Sequence, residues 1–378
     1  MVTYQEVRDR LKSRPRVWLV TGAAGFIGSH LVENLLKLDQ RVVGLDNFSS
    51  GDRDNLSQVK DAVRYNQWKN LRFIEGDIRS LSTCRQACRS VEVVLHQAAL
   101  GSVPQSIADP VLTNETNVAG FLNVLMAARA AGVQRFVYAG SSAAYGDHPG
   151  QPQVESQIGR PLSPYALSKH VNELYAGVFS RCYGLASIGL RYFNVFGPRQ
   201  NPAGAYAAVI PLWIAGMIRD NPIFINGDGE TVRDFCYVDN VVQANLLAAT
   251  IDDPAAVDQV YNIALGEGTT LNELFATMRS LLEPRFPGLR GLRPVYRDFR
   301  AGDVRESRAD ISKATRLLGY QPVRPFSEGL ANAVDWYVAK IAPRRSVTVE
   351  IPQPAATAGG SQSNPSLSTA TLSWRSRS

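Results

Sequence analysis

The sequence predicts a doubly wound α/β fold, a parallel sheet covered by helices on both faces, with a smaller C-terminal α/β lobe. Three observations carry this. Short apolar, β-rich runs alternate with helical patterns from residue 16 to about 190, and right-handed crossovers turn such alternation into a parallel sheet. The first of these runs enters a glycine-rich turn that opens a helix. After Asn194 the pattern loosens into loops, short strands and several helices.

The first strand is Arg16-Val17-Trp18-Leu19-Val20-Thr21. It leads into Gly22-Ala23-Ala24-Gly25-Phe26-Ile27-Gly28, and a helical pattern follows through Leu31, Leu35 and Leu36. Glycines at such a turn let backbone amides approach a pyrophosphate, and the positive end of the new helix faces it. The Gly-x-x-Gly-x-x-Gly spacing is one residue looser than the common dinucleotide fingerprint. A second strand, Arg41–Leu45, ends in Asp46, close to the interval at which a carboxylate accepts adenosine ribose hydroxyls. A carboxylate there repels a 2′-phosphate and favours NAD over NADP; Arg53 in the next loop argues the other way. The run Leu71–Gly76 leads to Asp77-Ile78, where a carboxylate meets an adenine amino group. The run Val91–Leu95 leads to His96-Gln97-Ala98-Ala99, small residues along which a cofactor can lie. His96 reads as a core histidine and not a metal ligand, because no second His, Cys or carboxylate stands at ligand spacing.

Further strands are expected at Gln134–Ala139 and Ser187–Leu190. Between them lie Ser141-Ser142 and then Ser163-Pro164-Tyr165-Ala166-Leu167-Ser168-Lys169. Ser163 suits a helix cap and Pro164 the first helical position. Tyr165 and Lys169, four apart, then share one face at the helix start. A free phenol, with a pKa of about 10, is a poor base at neutral pH. A neighbouring ammonium and a bound nicotinamide cation would favour its phenolate.

Composition excludes several classes. The 378 residues are 45% hydrophobic with a net charge of +6. Residues 1–16 and 343–378 each contribute +3, so the body is neutral and no basic stripe marks a nucleic-acid partner. Cys84, Cys88, Cys182 and Cys236 lack metal or redox spacing, which suits a reducing cytoplasm. No apolar run reaches membrane-spanning length, and no apolar signal segment precedes the first strand. The expected organisation is 1–194 for the cofactor and catalytic residues, mainly 195–342 for the substrate with segments returning to the first domain, and a disordered 343–378 tail rich in Ser, Thr, Ala, Gly, Pro and Gln.

Together, Thr21–Gly28, Asp46-Asn47, Ser141-Ser142, Tyr165-x-x-x-Lys169 and Arg191-Tyr192-Phe193-Asn194 resemble the extended short-chain dehydrogenase/reductase family, in its sugar-nucleotide epimerase branch. The similarity runs from about 5 to 342. It implies a Rossmann-like fold, bound NAD, a Ser–Tyr–Lys catalytic set and a nucleoside-diphosphate sugar. Within it, Tyr165 takes a proton from a sugar hydroxyl, Ser141 (with Ser142 second) holds the substrate oxygen, and Lys169 holds the nicotinamide ribose. Cofactor contacts fall on Gly22, Gly25, Phe26, Ile27, Gly28, Asp46, Asn47, Asp77, Ile78, Gln97, Ala98, Ala99, Tyr165 and Lys169. Dehydratase and decarboxylase relatives resemble Thr-Asp-Glu or Thr-Ser-Glu near Ser141. Here Ser141-Ser142-Ala143-Ala144-Tyr145 has no carboxylate, which favours epimerisation.

For the substrate, the resemblance implies Ser102, Asn194, Val209, Asn226, Arg233, Arg300 and Asp303, the arginines suiting a diphosphate because guanidinium forks bind oxygens in pairs. At Ser307 a bulky tyrosine is similar to the occupant in epimerases restricted to UDP-glucose and UDP-galactose; serine leaves room for an N-acetyl group. The segments His96–Pro104, Leu162–Ala166 and Asp234–Tyr237 look like those of bacterial UDP-N-acetylglucosamine 4-epimerases. That reading predicts UDP-GlcNAc/UDP-GalNAc interconversion, with UDP-Glc/UDP-Gal as a further pair. Its alternatives are a UDP-uronate 4-epimerase and, remotely, an NAD-sensing protein without chemistry. The resemblance also implies a homodimer through the helices around 114–131 and 164–182.

Overall fold

A computed structural model describes residues 2–202, 208–299 and 304–341. Arg300, Asp303 and the 343–378 segment lie outside the described residues. The strands in chain order are β1 (Val17–Thr21), β2 (Arg41–Asp46), β3 (Leu71–Glu75), β4 (Val93–His96), β5 (Arg135–Ser141), β6 (Ser187–Tyr192), β7 (Val195–Phe196), β8 (Phe224–Asn226), β9 (Val232–Arg233), β10 (Cys236–Tyr237), β11 (Gln259–Ile263), β12 (Thr269–Thr270), β13 (Val295–Arg297) and β14 (Glu306–Ser307). Seven of them form one sheet in the order β11-β6-β5-β4-β1-β2-β3. Every pairing in it is parallel. This is the doubly wound α/β architecture, Rossmann-like in its order.

A parallel sheet buried on both faces needs continuous apolar strands. β4, β6 and β1 supply them: from Trp18 to Val20 no side chain reaches solvent. One face is packed by Leu31, Leu35, Val241, Leu246 and Tyr261, the other by Phe121, Leu125, Ala176 and Phe179. The sheet takes its edge strand β11 and a covering helix, Val238–Thr250, from beyond residue 195. A third apolar cluster, with Trp213, Phe275, Leu330 and Tyr337, lies almost entirely within 195–341.

The sheet order reverses between β1 and β4, since their following strands lie on opposite sides. Ligands of open α/β sheets bind beyond the carboxyl ends of strands at such a switch point. The Pro164–Tyr183 helix starts beside that crevice. Ser163 Oγ accepts from Ala166 N at 3.1 Å, Pro164 opens the helix, and Gly184 (φ +67°) ends it. Among the described residues no helix is long and apolar enough to cross a membrane.

Candidate active site

A cleft of about 720 Å³ opens at the switch point. Its lining gathers every residue expected to hold the cofactor and all four catalytic candidates: the glycine turn, Asp46-Asn47, Asp77-Ile78, Gln97–Ala99, Ser141-Ser142, Tyr165 and Lys169.

The glycine turn is built for a close approach. Gly22 has φ +69°, and a side chain there would meet the Ala98 backbone at 2.9–3.0 Å. At Gly28 a Cβ would lie 1.9 Å from Gly22 O, so helix and turn can touch only without one. Gly25 starts the Phe26–Lys37 helix with no side-chain cap and no acid in the first turn. Its first backbone amides therefore face the cleft, an anion site of the kind a pyrophosphate occupies. Asp46 steadies this turn, accepting from Ala24 N at 2.9 Å and Phe48 N at 2.8 Å. Asn47 donates to Asp77 Oδ2 at 2.9 Å. The Arg53 guanidinium, which argued for a 2′-phosphate, is forked onto Glu75 at 2.8–2.9 Å and lies over the Phe48 ring. The Asp46 charge thus stands without an arginine of its own, and the residues present fit NAD.

His96 is a core residue. Thr21 Oγ1 lies 2.9 Å from its Nδ1, Phe121 and Phe136 pack on its ring, and burial pushes its pKa down to about 3. Among the described residues no group of three His, Cys, Asp or Glu could hold a metal ion.

Ser141 ends β5, with its Oγ accepting from Ala143 N at 3.1 Å. That anchors the oxygen and leaves its proton available. Tyr165 is half-buried and lines the same cleft, with the Ser141 hydroxyl near enough to pull its pKa down. Lys169 is only 4% exposed and donates to Ala139 O at 2.9 Å. Burial pushes its pKa down to about 8, against the pull of Glu173. Burial raises the Tyr165 pKa, and the Ser141 hydroxyl opposes this. Lys169 Nζ is 5.9 Å from the phenol ring centroid.

Ser102 and Asn194 also line the cleft. Ser102 Oγ caps the Val103–Ala108 helix, and Asn194 (φ +31°) donates to Asp234 O at 3.0 Å. The other described substrate candidates, Val209, Asn226, Arg233 and Ser307, stand outside its lining. Val209 begins a helix just after Ala208, which does line it. Asn226 ends β8 beside Arg297. Arg233 and Ser307 are register neighbours on β9 and β14. Arg233 Nη1 donates to Val232 O at 2.9 Å and Val304 O at 2.8 Å, and Ser307 Oγ lies 3.5 Å from Gln153 Oε1.

Sequence reasoning missed four groups. Gln105, Thr116 and Tyr192 line the cleft, and Asn245 lies beneath it. Tyr192 Oη donates to Gln97 Oε1 (3.1 Å) and accepts from Asn245 Nδ2 (2.9 Å), while Gln97 Nε2 donates to Asn245 Oδ1 (3.2 Å). This closed ring fixes the floor. Thr116 reaches the cleft because Glu115–Ala119 forms a π-helical turn, which also lets Asn117 bond Leu100 N, Leu100 O and Ser168 Oγ. Such turns recur at functional sites.

The NAD-dependent epimerase/dehydratase family profile matches residues 18–264. The UDP-glucose 4-epimerase of Mycolicibacterium smegmatis is 35% identical over 84% of this chain and 97% of its own length. The UDP-glucuronate 4-epimerase of Thermodesulfobacterium geofontis is 31% identical over 88% of this chain and 99% of its own. Two solved structures superpose closely. The UDP-N-acetylglucosamine 4-epimerase from Methanobrevibacter ruminantium, in complex with UDP-N-acetylmuramic acid, gives a TM-score of 0.78 at 37% identity, covering 86% of this chain and 99% of that one. The UDP-glucose 4-epimerase of Thermus thermophilus in complex with NAD gives 0.73 at 36%, covering 85% and 98%. With the glycine turn, the uncapped helix and the Ser–Tyr–Lys set in one cleft, the chain belongs to the NAD-dependent epimerase/dehydratase family.

Proposed function

We propose that this protein is a UDP-sugar 4-epimerase, with UDP-GlcNAc and UDP-GalNAc as its preferred pair. The observation that carries the reaction type is the gathering of Ser141, Tyr165 and Lys169 in one cleft whose Ser141 turn is small and uncharged. Elimination needs an added acid or base beside the ketone, and Ser142, Ala143 and Ala144 offer none.

NAD, held by the glycine turn, Asp46 and the Gln97–Ala99 segment, would supply reversible hydride transfer at the sugar C4 and a positive charge near the phenol. Tyr165 Oη takes the C4 hydroxyl proton and later gives it back. Ser141, its oxygen held by Ala143 N, accepts from the C4 hydroxyl as its own proton moves to Tyr165 Oη, relaying the proton between them. Lys169 holds a ribose hydroxyl and offsets the phenolate charge. Residues 1–194 supply these groups, and 195–342 mainly hold the nucleotide sugar.

Purified protein incubated without added cofactor should convert UDP-GlcNAc to UDP-GalNAc, identified by chromatography. Turnover of UDP-uronates alone rejects the substrate choice, as the glucuronate-acting relative makes worth testing. The N-acetyl preference is assigned to space at Ser307. Ser307→Tyr should lower kcat/KM for the N-acetylated pair by about 10- to 100-fold, the equivalent of overpacking by about 1–3 kcal/mol. UDP-glucose turnover should stay within about twofold of the unaltered protein's, the scatter of context-dependent effects. Equal loss on both pairs contradicts the assignment.

The protein is further proposed to act as a homodimer. Phe121 and Leu125, on the first of the helices implied to meet a partner, are buried within the chain. Leu167, Leu174 (56% exposed), Val178 (41%) and Met126 are not, and an apolar groove lined by Pro110, Val118, Leu162 and Val171 lies alongside. A second copy of this helical face would cover both. Leu174→Glu buries an unpaired carboxylate in that interface, costing several kcal/mol. The variant should elute as a monomer in light-scattering chromatography; an unchanged dimer rejects this face.

A further inference from the structure

We propose that Glu173, gripped by Arg191, is a positioning residue that sets the ionisation of the Lys169 ammonium and ties it to the turn bearing Ser141. The inference rests on the roles of Tyr165, Ser141 and Lys169 proposed above.

Glu173 follows Lys169 by four residues, on the same helix face. Its side chain is 7% exposed, and that of Arg191, on β6, is 3% exposed. Arg191 Nε donates to Glu173 Oε1 at 2.8 Å and Nη2 to Oε2 at 2.7 Å. Its Nη1 donates to Glu155 O at 3.1 Å, and the guanidinium lies 4.7 Å over the Tyr145 ring. Tyr145 closes the turn that begins at Ser142, and its hydroxyl is fixed to Asn262 Oδ1 at 2.6 Å. Asn262 N in turn donates to Glu155 Oε1 at 2.9 Å. One connected set of buried groups therefore joins the helix of Tyr165 and Lys169 to the turn of Ser141. Buried ion pairs add little stability over apolar residues of the same size, so the position of this one, a helical turn behind Lys169, calls for another reason.

The groups around Lys169 supply it. Its own helix presents the Tyr165 ring, 5.9 Å from Nζ, and Glu173 one turn on; β4 presents His96, and β5 presents the Ala139 carbonyl. Burial keeps His96 neutral and raises Tyr138, and His170 Nδ1 lies 3.9 Å from Glu173 Oε2. Glu173 is the carboxylate of this set, and it opposes the desolvation of the ammonium. Removing its charge takes away that opposition and leaves the Arg191 guanidinium without its carboxylate.

Competitive labelling with acetic anhydride, read at the Lys169 peptide by mass spectrometry across pH, gives the ammonium midpoint without substrate. In Glu173→Gln that midpoint should fall by about one pH unit or more, the scale of losing a close opposite charge. The alkaline limb of kcat should move with it, with KM within about twofold because no substrate contact is lost. Glu173→Asp, which keeps the charge, should restore most of the shift. A lower melting temperature with an unmoved midpoint would mean a structural role only and overturns the proposal. Where Glu173→Gln does not fold, Arg191→Lys decides. A point charge cannot fork onto both oxygens, Glu173 is freed toward Lys169, and the midpoint should rise by about half a unit; no rise overturns the proposal. Labelling needs no turnover, so a shifted midpoint in a protein inert toward UDP-sugars would reject the reaction and leave this inference standing.

Discussion

Replacing Tyr165 by phenylalanine is expected to lower kcat by about 10³-fold, the loss of one well-placed acid/base group, with the fold and the bound NAD intact. The substitution removes a single oxygen. The half-buried ring keeps its packing, and a hydroxyl's hydrogen bonding is worth about 1 kcal/mol. Because the cofactor cleft is framed by the glycine turn, Asp46 and the Gln97–Ala99 segment, NAD content measured by chromatography after denaturation should match that of the unaltered protein. Loss of NAD together with activity would mean that Tyr165 holds the cofactor and is not the base. Near-normal turnover would remove the phenol from the reaction altogether. The pH profile sharpens the test. Burial raises the phenol pKa in the protein alone, so the acidic limb of kcat reports how far the positive charge of bound NAD brings it back.

How much of this site was legible in the sequence depended on the range of the contacts involved. The glycine turn was legible because steric exclusion acts within a few residues: any Cβ on Gly28 would lie 1.9 Å from Gly22 O, so the position calls for glycine. The Ser163 cap, Pro164 and the i,i+4 pair of Tyr165 and Lys169 are equally local. The ring of Gln97, Tyr192 and Asn245 was not legible, since its members are 53 to 148 residues apart and meet only through sheet order. Arg191 was seen as part of a matching segment, yet its partner Glu173 was not, because nothing local pairs β6 with the helix before it. The π-helical turn at Glu115–Ala119 has no proline or repeated glycine to announce it. On the helices expected to face a partner, periodicity identified the apolar positions but could not say which face the sheet would take. Phe121 went inward and Leu174 outward. In the lobe, β8 with β13 and β9 with β12 and β14 pair two or three residues at a time, too short for any periodic signal.

Lys169→Met should make the cofactor-free protein more stable at neutral pH while lowering kcat by about 10²-fold or more, the range for losing an acid/base partner. Burial holds the folded-state pKa of Lys169 at about 8, below its ordinary 10.5. The folded protein therefore binds this proton less tightly than the unfolded chain does. Below about pH 8 both states are charged and the native state carries the full desolvation cost, on the order of 3 kcal/mol. Between about 8 and 10.5 the native lysine becomes neutral first, so stability contributed at this position rises with pH. Above 10.5 the difference is gone. Methionine fills similar volume without the charge but forfeits the bond to Ala139 O, worth about 1 kcal/mol. The net gain at pH 7 should be about 2 kcal/mol, or a few degrees in Tm, shrinking toward zero or below by about pH 10.5. Denaturant unfolding of both proteins at pH 7, 9 and 10.5 measures it. A methionine variant that is less stable at pH 7, or a gap that does not close as pH rises, would show that Lys169 is not a strained charge held for its chemistry. Such a position, costly to the fold and adjacent to the phenol, is where a stability–activity trade-off belongs.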